Sequence, residues 1–290
     1  MCGVCGCSPA AGKGIPAGGA SLHSSHLHVH HQPHAGHVHD QQVAADGAGP
    51  LGAVHAPGVA HSRIIQVEQD ILQENNHYAA ENRKAFAAGR ILGLNLMSSP
   101  GSGKTTLLVR TIKDLQQGTV PIAVIEGDQQ TSVDAERIQA AGAQSVQINT
   151  GRNCHLDAHM VGHALAQLKP KPGSVVFVEN VGNLVCPSAF DLGEAYKVVM
   201  LSVTEGDDKP LKYPDIFAVS DLMVVTKIDL LPYVEFDVTR CIAYARRIRP
   251  TIKVVQVSAK KGDGLEDWYR WIERHRQAVL KRETIEVPCQ

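Results

Sequence analysis

No charge of either sign dominates this 290-residue chain: 28 lysines and arginines stand against 29 aspartates and glutamates, for a formal net charge of −1. A balanced surface carries no overall field to recruit nucleic acid or an anionic membrane. No apolar run approaches the roughly 18–20 residues that a membrane span needs. An apolar segment behind a basic start, the mark of a secretory signal, is also missing. These absences lead to the expectation of a cytoplasmic protein with no membrane span and no nucleic-acid partner. In a reducing compartment thiols stay free, so the seven cysteines, an odd number, read as metal ligands or redox groups before disulfides.

Large apolar residues are scarce in residues 1–61, which are rich in Gly, Ala, Pro and His and show neither helical nor strand periodicity. Such a segment cannot bury enough surface to offset its ordering entropy, so a disordered tail is expected over 1–61. Its opening, MCGVCGC, sets Cys2, Cys5 and Cys7 close enough to wrap one ion. Three thiolates with the terminal amine suit square-planar Ni2+ and also tetrahedral Zn2+. Beyond them His23, His26, His28, His30, His31, His34, His37 and His39 are interspersed rather than contiguous, unlike a purification tag. These imidazoles should load divalent ions near neutral pH and shed them as pH falls through roughly 6–6.5.

The texture changes at Ser62, where a domain spanning 62–290 is expected to begin. In SRIIQVEQDILQENNHYAAENRKAFAAG, Ile64, Val67, Ile71, Tyr78 and Phe86 stand near helical spacing, with Ser62 as an N-cap and Gly89 at the end. One helix, or two with a break, should lead into the core. Seven short apolar runs follow, at 91–97, 122–127, 145–149, 174–180, 198–203, 222–227 and 254–259. Most are separated by amphipathic stretches beginning near Lys104, Val133, His155, Phe236 and Leu265. That alternation predicts an α/β fold: a mostly parallel seven-stranded sheet flanked by helices.

Directly after the first run stands SSPGSGKTT. Pro100, Gly101, Ser102, Gly103, Lys104, Thr105 and Thr106 supply most of a phosphate-binding P-loop, with Ser98 where the motif's first glycine would be. Glycines let backbone N–H groups converge on phosphate, the lysine neutralises β/γ charge, and the threonine hydroxyl can ligate Mg2+. Thr226, Lys227 and Asp229, in TKID, have the form of a guanine-specificity element. The carboxylate can accept from guanine N1–H and its 2-amino group, a donor pair that adenine lacks. Ser258, Ala259 and Lys260 then resemble the loop that meets guanine O6, so GTP is the expected nucleotide. Asp128 and Glu179, each ending a strand, are candidate Mg2+ carboxylates, and Gly182 stands as the switch glycine whose N–H a γ-phosphate can pull.

A second metal site is suggested by Cys154 and His155, adjacent at the expected start of a helix, and by Cys186, four residues beyond Gly182. Two thiolates with an imidazole suit Zn2+ or Ni2+ and suit hard Mg2+ poorly. A water, another residue or a second subunit could complete the set. Because Cys186 follows the switch glycine, nucleotide and metal binding should be linked, and linkage is reciprocal. Cys241 and Cys289 have no such company.

Jointly, the C-x-x-C-G-C opening, SPGSGKT, the Cys154–His155 pair, ENVGNLVCP, TEGDDKPLKYP and TKIDL closely resemble the nickel-inserting GTPase family of nickel–iron hydrogenase maturation. The resemblance implies a slow GTPase that dimerises with GTP and metal. It further implies that nickel passes to the hydrogenase large subunit with help from a small zinc-containing accessory protein, and that the His-rich tract stores nickel. It also makes Lys209 a candidate for contacts across the dimer. Two other readings compete: a urease accessory nickel-insertion GTPase, and a nickel-storage protein whose GTPase domain is vestigial.

Overall fold

The computed structural model describes residues 61–116, 120–128, 133–151 and 153–281. The expectations for Cys2, Cys5, Cys7, the histidines of residues 23–39 and Cys289 lie outside the described residues.

Seven strands form one parallel sheet: β1 (Leu92–Ser98), β2 (Ile122–Asp128), β3 (Gln144–Asn149), β4 (Val175–Gly182), β5 (Tyr196–Ser202), β6 (Leu222–Thr226) and β7 (Lys253–Val257). Their spatial order is β3-β2-β4-β1-β5-β6-β7, and every pairing is parallel. Apolar runs build it because a parallel sheet covered on both faces has no solvent side. All seven residues of β1 are buried. Wholly buried Phe177 on β4 contributes about 2–3 kcal/mol by leaving water.

Eight α-helices accompany the sheet among the described residues: α1 (His61–Ala88), α2 (Lys104–Gln116), α3 (Val133–Ala140), α4 (Ala158–Leu168), α5 (Lys209–Lys212), α6 (Pro214–Val219), α7 (Val238–Ile248) and α8 (Leu265–Leu280). On one face, Trp268 of α8 packs into the core and donates its indole N–H to Thr111 of α2 at 2.9 Å. On the other, α4 packs beside β2 and β4. No described helix is long and apolar enough to cross a membrane.

Three expectations need correction. The helix before the sheet is unbroken and already runs at Ser62, so Ser62 is not its cap. α1 buries only part of its apolar stripe: Phe86 faces inward and Tyr78 is half-buried, but Val67 is 50% and Ile71 43% exposed, and Asn75, Ala79 and Asn82 share the inward face. The asparagines turn inward because they have partners. Asn82 donates to the carbonyls of Ala158 (2.7 Å) and Leu192 (3.0 Å). Asn75 donates to that of Asp191 (2.8 Å) and accepts from the Ala158 N–H (2.9 Å). Finally, Cys154 and His155 precede their helix, because Asp157 caps α4 by accepting from the Met160 N–H at 2.8 Å. That side-chain acceptor satisfies one of the first turn's orphan donors and fixes where the helix begins.

Candidate nucleotide and metal sites

β1 ends at the middle of the sheet, between β4 and β5, the place where α/β sheets open a crevice beyond their strand ends. A cavity of about 600 Å3 lies there, and the helix α2 begins beside it at Lys104. Gly101 and Gly103 take φ of 72° and 96°, conformations that side-chain-bearing residues rarely adopt. Together with Pro100, Lys104, Thr105 and Thr106 they line the cavity. Ser102 is buried beneath, its carbonyl accepting from the Thr226 hydroxyl at 2.6 Å. Thr226 thus braces the loop from below. Ser98, in place of the motif's first glycine, accepts from the Lys104 ammonium at 2.9 Å and from Ser102. Burial pushes the Lys104 amine down, while the carboxylates of Glu179, Glu205 and Asp134 hold it up.

The Thr105 hydroxyl lies 2.7 Å from Glu179 Oε1 and 3.0 Å from Asp134 Oδ2. One hydroxyl proton can serve only one of these oxygens. Glu126 of β2 stands directly in register with Glu179 of β4. The second carboxylate oxygens of both are buried without a hydrogen-bond partner among the described residues. Burial, then the charges of Glu179, Asp134 and Asp128, push the Glu126 carboxyl up to about 8. Burial likewise raises Glu179, against the pull of Lys104 and Thr105. Crowded acids with unused oxygens beside a threonine hydroxyl are a donor set suited to a hard divalent cation such as Mg2+. Asp128 lines the same cavity. Glu126 and Asp134 do not appear among the sequence candidates; the available signal was a charge inside the otherwise apolar run IAVIEGD, and an acid one residue into α3.

On the other flank, Lys227 takes φ 59° and extends its ammonium to the Gly101 carbonyl at 2.7 Å. Asp229 accepts from the Ser258 hydroxyl at 2.7 Å. This joins the turn after β6 to the loop after β7, where the Ala259 carbonyl faces Arg110 at 3.4 Å and Lys260 is exposed. Lys209 is engaged within its own chain: its ammonium lies 3.3 Å from Ser99 Oγ and 3.6 Å from Glu205.

The two cysteine segments also converge. Cys154 Sγ is 2.9 Å from Cys186 Sγ and 3.8 Å from His155 Nδ1. All three ligand atoms lie within 4.8 Å of one another, the one group of three or more metal-ligating side chains so close among the described residues. Sulfurs bound to one Zn2+-sized ion at about 2.3 Å sit roughly 3.3–3.8 Å apart, so an ion would spread this pair by about 0.4–0.9 Å. Burial, then the hydrogen bond with Cys154, hold the Cys186 thiol above the ordinary range. Burial lowers His155, which favours the neutral, ligating imidazole. Cys241 is buried apart from this group, its thiol pushed up to about 12.

Asn180 and Asn183 connect the two sites. Asn180 Oδ1 accepts from the Leu156 N–H at 3.1 Å, and Asn183 Nδ2 donates to the Cys154 carbonyl at 3.3 Å. The Cys154–His155 segment is therefore held on both sides by residues flanking Gly182. Gly182 itself lies against the P-loop: a Cβ there would come within 3.0 Å of Pro100. Cys154, Asn180, Gly182 and Asn183 all line the nucleotide cavity.

This geometry has counterparts. Residues 93–256 match the family model described as "CobW/HypB/UreG, nucleotide-binding domain". The hydrogenase maturation factor HypB of Azotobacter chroococcum is 62% identical over 235 residues, covering 81% of this chain and 76% of that protein. Among solved structures, HypB of Archaeoglobus fulgidus matches with 41% identity and a TM-score of 0.66, over 70% of this chain and 99% of that one. HypB of Helicobacter pylori, solved in complex with nickel, matches with 36% identity and a TM-score of 0.67, over 73% of this chain and 99% of that one. With a P-loop at the centre of a seven-stranded parallel sheet and kinship at this level, the chain belongs to the HypB family of hydrogenase maturation factors.

Proposed function

We propose that this chain is a GTP-hydrolysing nickel metallochaperone that delivers nickel to the hydrogenase large subunit. The observation that carries this reading is the hold of Asn180 and Asn183 on the Cys154–His155 segment, from either side of a glycine packed against the P-loop. A γ-phosphate that draws in the Gly182 N–H moves both asparagines, and with them the geometry of Cys154, His155 and Cys186.

In this reading Gly101, Gly103 and the start of α2 offer backbone N–H groups to the phosphates. Lys104 turns from Ser98 to the β/γ oxygens. Asp229, steadied by Ser258, takes the guanine N1–H and 2-amino group, and Lys227 lies along the base. Thr105, Asp128 and Glu179 hold Mg2+, with Asp134 and Glu126 at its rim. When bound, Mg2+ neutralises charge on the β- and γ-phosphates. No water-orienting glutamine or arginine finger is assigned, in keeping with slow intrinsic turnover and a switch rather than a rapid catalyst.

Nickel or zinc is cargo at Cys154, His155 and Cys186, with the fourth position open to a second copy of the chain in a GTP- and metal-dependent dimer. The tail holding Cys2, Cys5, Cys7 and the histidine tract receives and stores nickel. The small zinc-containing accessory protein assists transfer, and all of this takes place in the cytoplasm.

Turnover and metal titration test the proposal. Full-length protein should hydrolyse GTP well above ATP, and Lys104→Ala should abolish hydrolysis without releasing metal. Equal rates on both nucleotides, or none, would overturn the enzyme reading. Identical nickel affinities with GDP and a GTP analogue would overturn the coupling. A deletion strain that loses urease and keeps hydrogenase activity would assign the cargo's destination to urease instead.

A further inference from the structure

Besides the cysteine site, α4 carries a pair of histidines that the nucleotide and nickel chemistry above leaves unused. His159 and His163 stand four residues apart on its exposed face, and their Nε2 atoms are 3.0 Å from each other. We propose that this pair is a second metal site, a two-imidazole chelate for a divalent cation of the Ni2+ class.

The separation is the first argument. Imidazole nitrogens bind such ions at about 2.1 Å. Two ligands at right angles in a square-planar or octahedral field then lie about 3.0 Å apart, whereas a tetrahedral field needs about 3.4 Å. The nitrogens already stand at the bite of one ion in the geometry Ni2+ favours. In the absence of an ion the same spacing is a hydrogen bond, one Nε2–H donating to the other's lone pair. On binding, the donor ring passes to its Nδ1–H tautomer and both Nε2 lone pairs face the cation, with no net proton lost.

Preorganisation is the second. The ring of Tyr78 lies 4.7 Å from that of His159, and the two histidine rings meet edge to face at 4.5 Å. The helix beneath is capped by Asp157 and tied to α1 through Asn75 and Asn82. Little ring or backbone freedom is left to lose on chelation. Glu74 and Asp157 line a hollow of about 220 Å3 together with His159. No carboxylate among the described residues stands close enough to join the two imidazoles directly, so these acids act through bridging water at the remaining coordination positions.

The site is separate from the cysteine cluster. Phe190 packs on the His155 ring at 4.0 Å and also walls the hollow that His159 lines. An apolar ring therefore stands between the two ligand sets. Two imidazoles grip a borderline ion less strongly than two thiolates and an imidazole, so the helical pair is suited to receive a cation and release it. This inference rests on α4 and its packing against α1 and does not require the nickel-delivery reading.

The test is carbethoxylation by diethyl pyrocarbonate with peptide mass mapping, on full-length protein with Ni2+ alone under anaerobic conditions. Each histidine is read separately, so the tract does not obscure the result. His159 and His163 should lose reactivity together over one range of Ni2+, and Mg2+ should protect neither. His163→Gln should restore the reactivity of His159 in Ni2+, and His159→Gln that of His163. Both variants should leave GTP hydrolysis and the protection of His155 unchanged. Reactive His159 and His163 at saturating Ni2+, well above the level that protects His155, or undiminished protection of one histidine after loss of the other, would overturn the site.

Discussion

Glu126 offers a measurement that isolates one buried acid. Its carboxyl, in register with Glu179, is pushed from the ordinary glutamate range up to about 8, chiefly by burial. A carboxyl with a raised folded-state pKa binds its proton more tightly in the native chain than in the unfolded one. Its contribution to stability is therefore full below about pH 4.3 and is lost as pH climbs toward 8. Within that window a pH unit is a tenfold change in the proton equilibrium, so two units give at most about 3 kcal/mol. Glu126 also borders an open cavity, and water there takes back part of this, leaving about 2 kcal/mol between roughly pH 5.5 and 7.5. Glu126→Gln cannot ionise, and any constant cost of the buried amide cancels in the pH dependence. The assay is urea unfolding at both pH values, with chelator present and neither nucleotide nor Mg2+. Relative to the variant, wild type should lose about 2 kcal/mol on going to the higher pH. Parallel profiles would refute the placement of an unsatisfied, charge-crowded carboxyl at this position. Saturating Mg2+ should shrink the difference, because a cation beside Glu126 favours its ionised form.

Two further outcomes follow from the loop between the sites. Gly182→Ala places a methyl within 3.0 Å of Pro100; overpacking of this kind costs about 1–3 kcal/mol, or a melting temperature lower by roughly 5 °C. Calorimetric nickel titration of this variant should show no difference between GDP and a GTP analogue, and an undiminished difference would remove Gly182 from the switch. Because burial raises the Cys186 thiol, metal binding must displace its proton. Nickel affinity at that site should therefore fall about tenfold per pH unit for each thiol proton displaced, read between about pH 8.5 and 6.5 as thiolate charge-transfer absorption in difference against Cys186→Ala. A flat profile would contradict it.

Local chemistry explains what could be read before the structure. The five inner strands announce themselves as apolar runs because a doubly covered parallel sheet tolerates few polar interruptions, while the edge strands β3 and β7 are only part-buried and carry polar residues. The P-loop is legible because its glycines and lysine are contiguous. Residues whose roles depend on distant partners are not. Glu126 looks like a charge misplaced in a strand until the register sets it against Glu179. Asp134 gains its place only by reaching Thr105, and Asn180 and Asn183 only by reaching across to residues 154–156. The lead-in helix misleads for the same reason. Its periodic Val67 and Ile71 are largely exposed, while two asparagines that no hydrophobicity pattern selects take the inward face. The short helices α5 and α6 lie in a stretch whose proline-rich text gave no helical period.

That lead-in helix has a consequence for engineering. Asn75 and Asn82 clasp Ala158 and residues 191–192, the backbone just downstream of each cysteine segment. Yet α1 stands wholly upstream of residues 93–256, the stretch matched as a nucleotide-binding domain. A graft that began at β1 and ran through α8 would carry the phosphate cradle and the loops after β6 and β7 onto a foreign protein but leave the thiols on an unsplinted frame. Soft-metal capture would fade while nucleotide recognition survived, and adding back the upstream helix, which contributes no ligand of its own to the cysteine cluster, would bring it back.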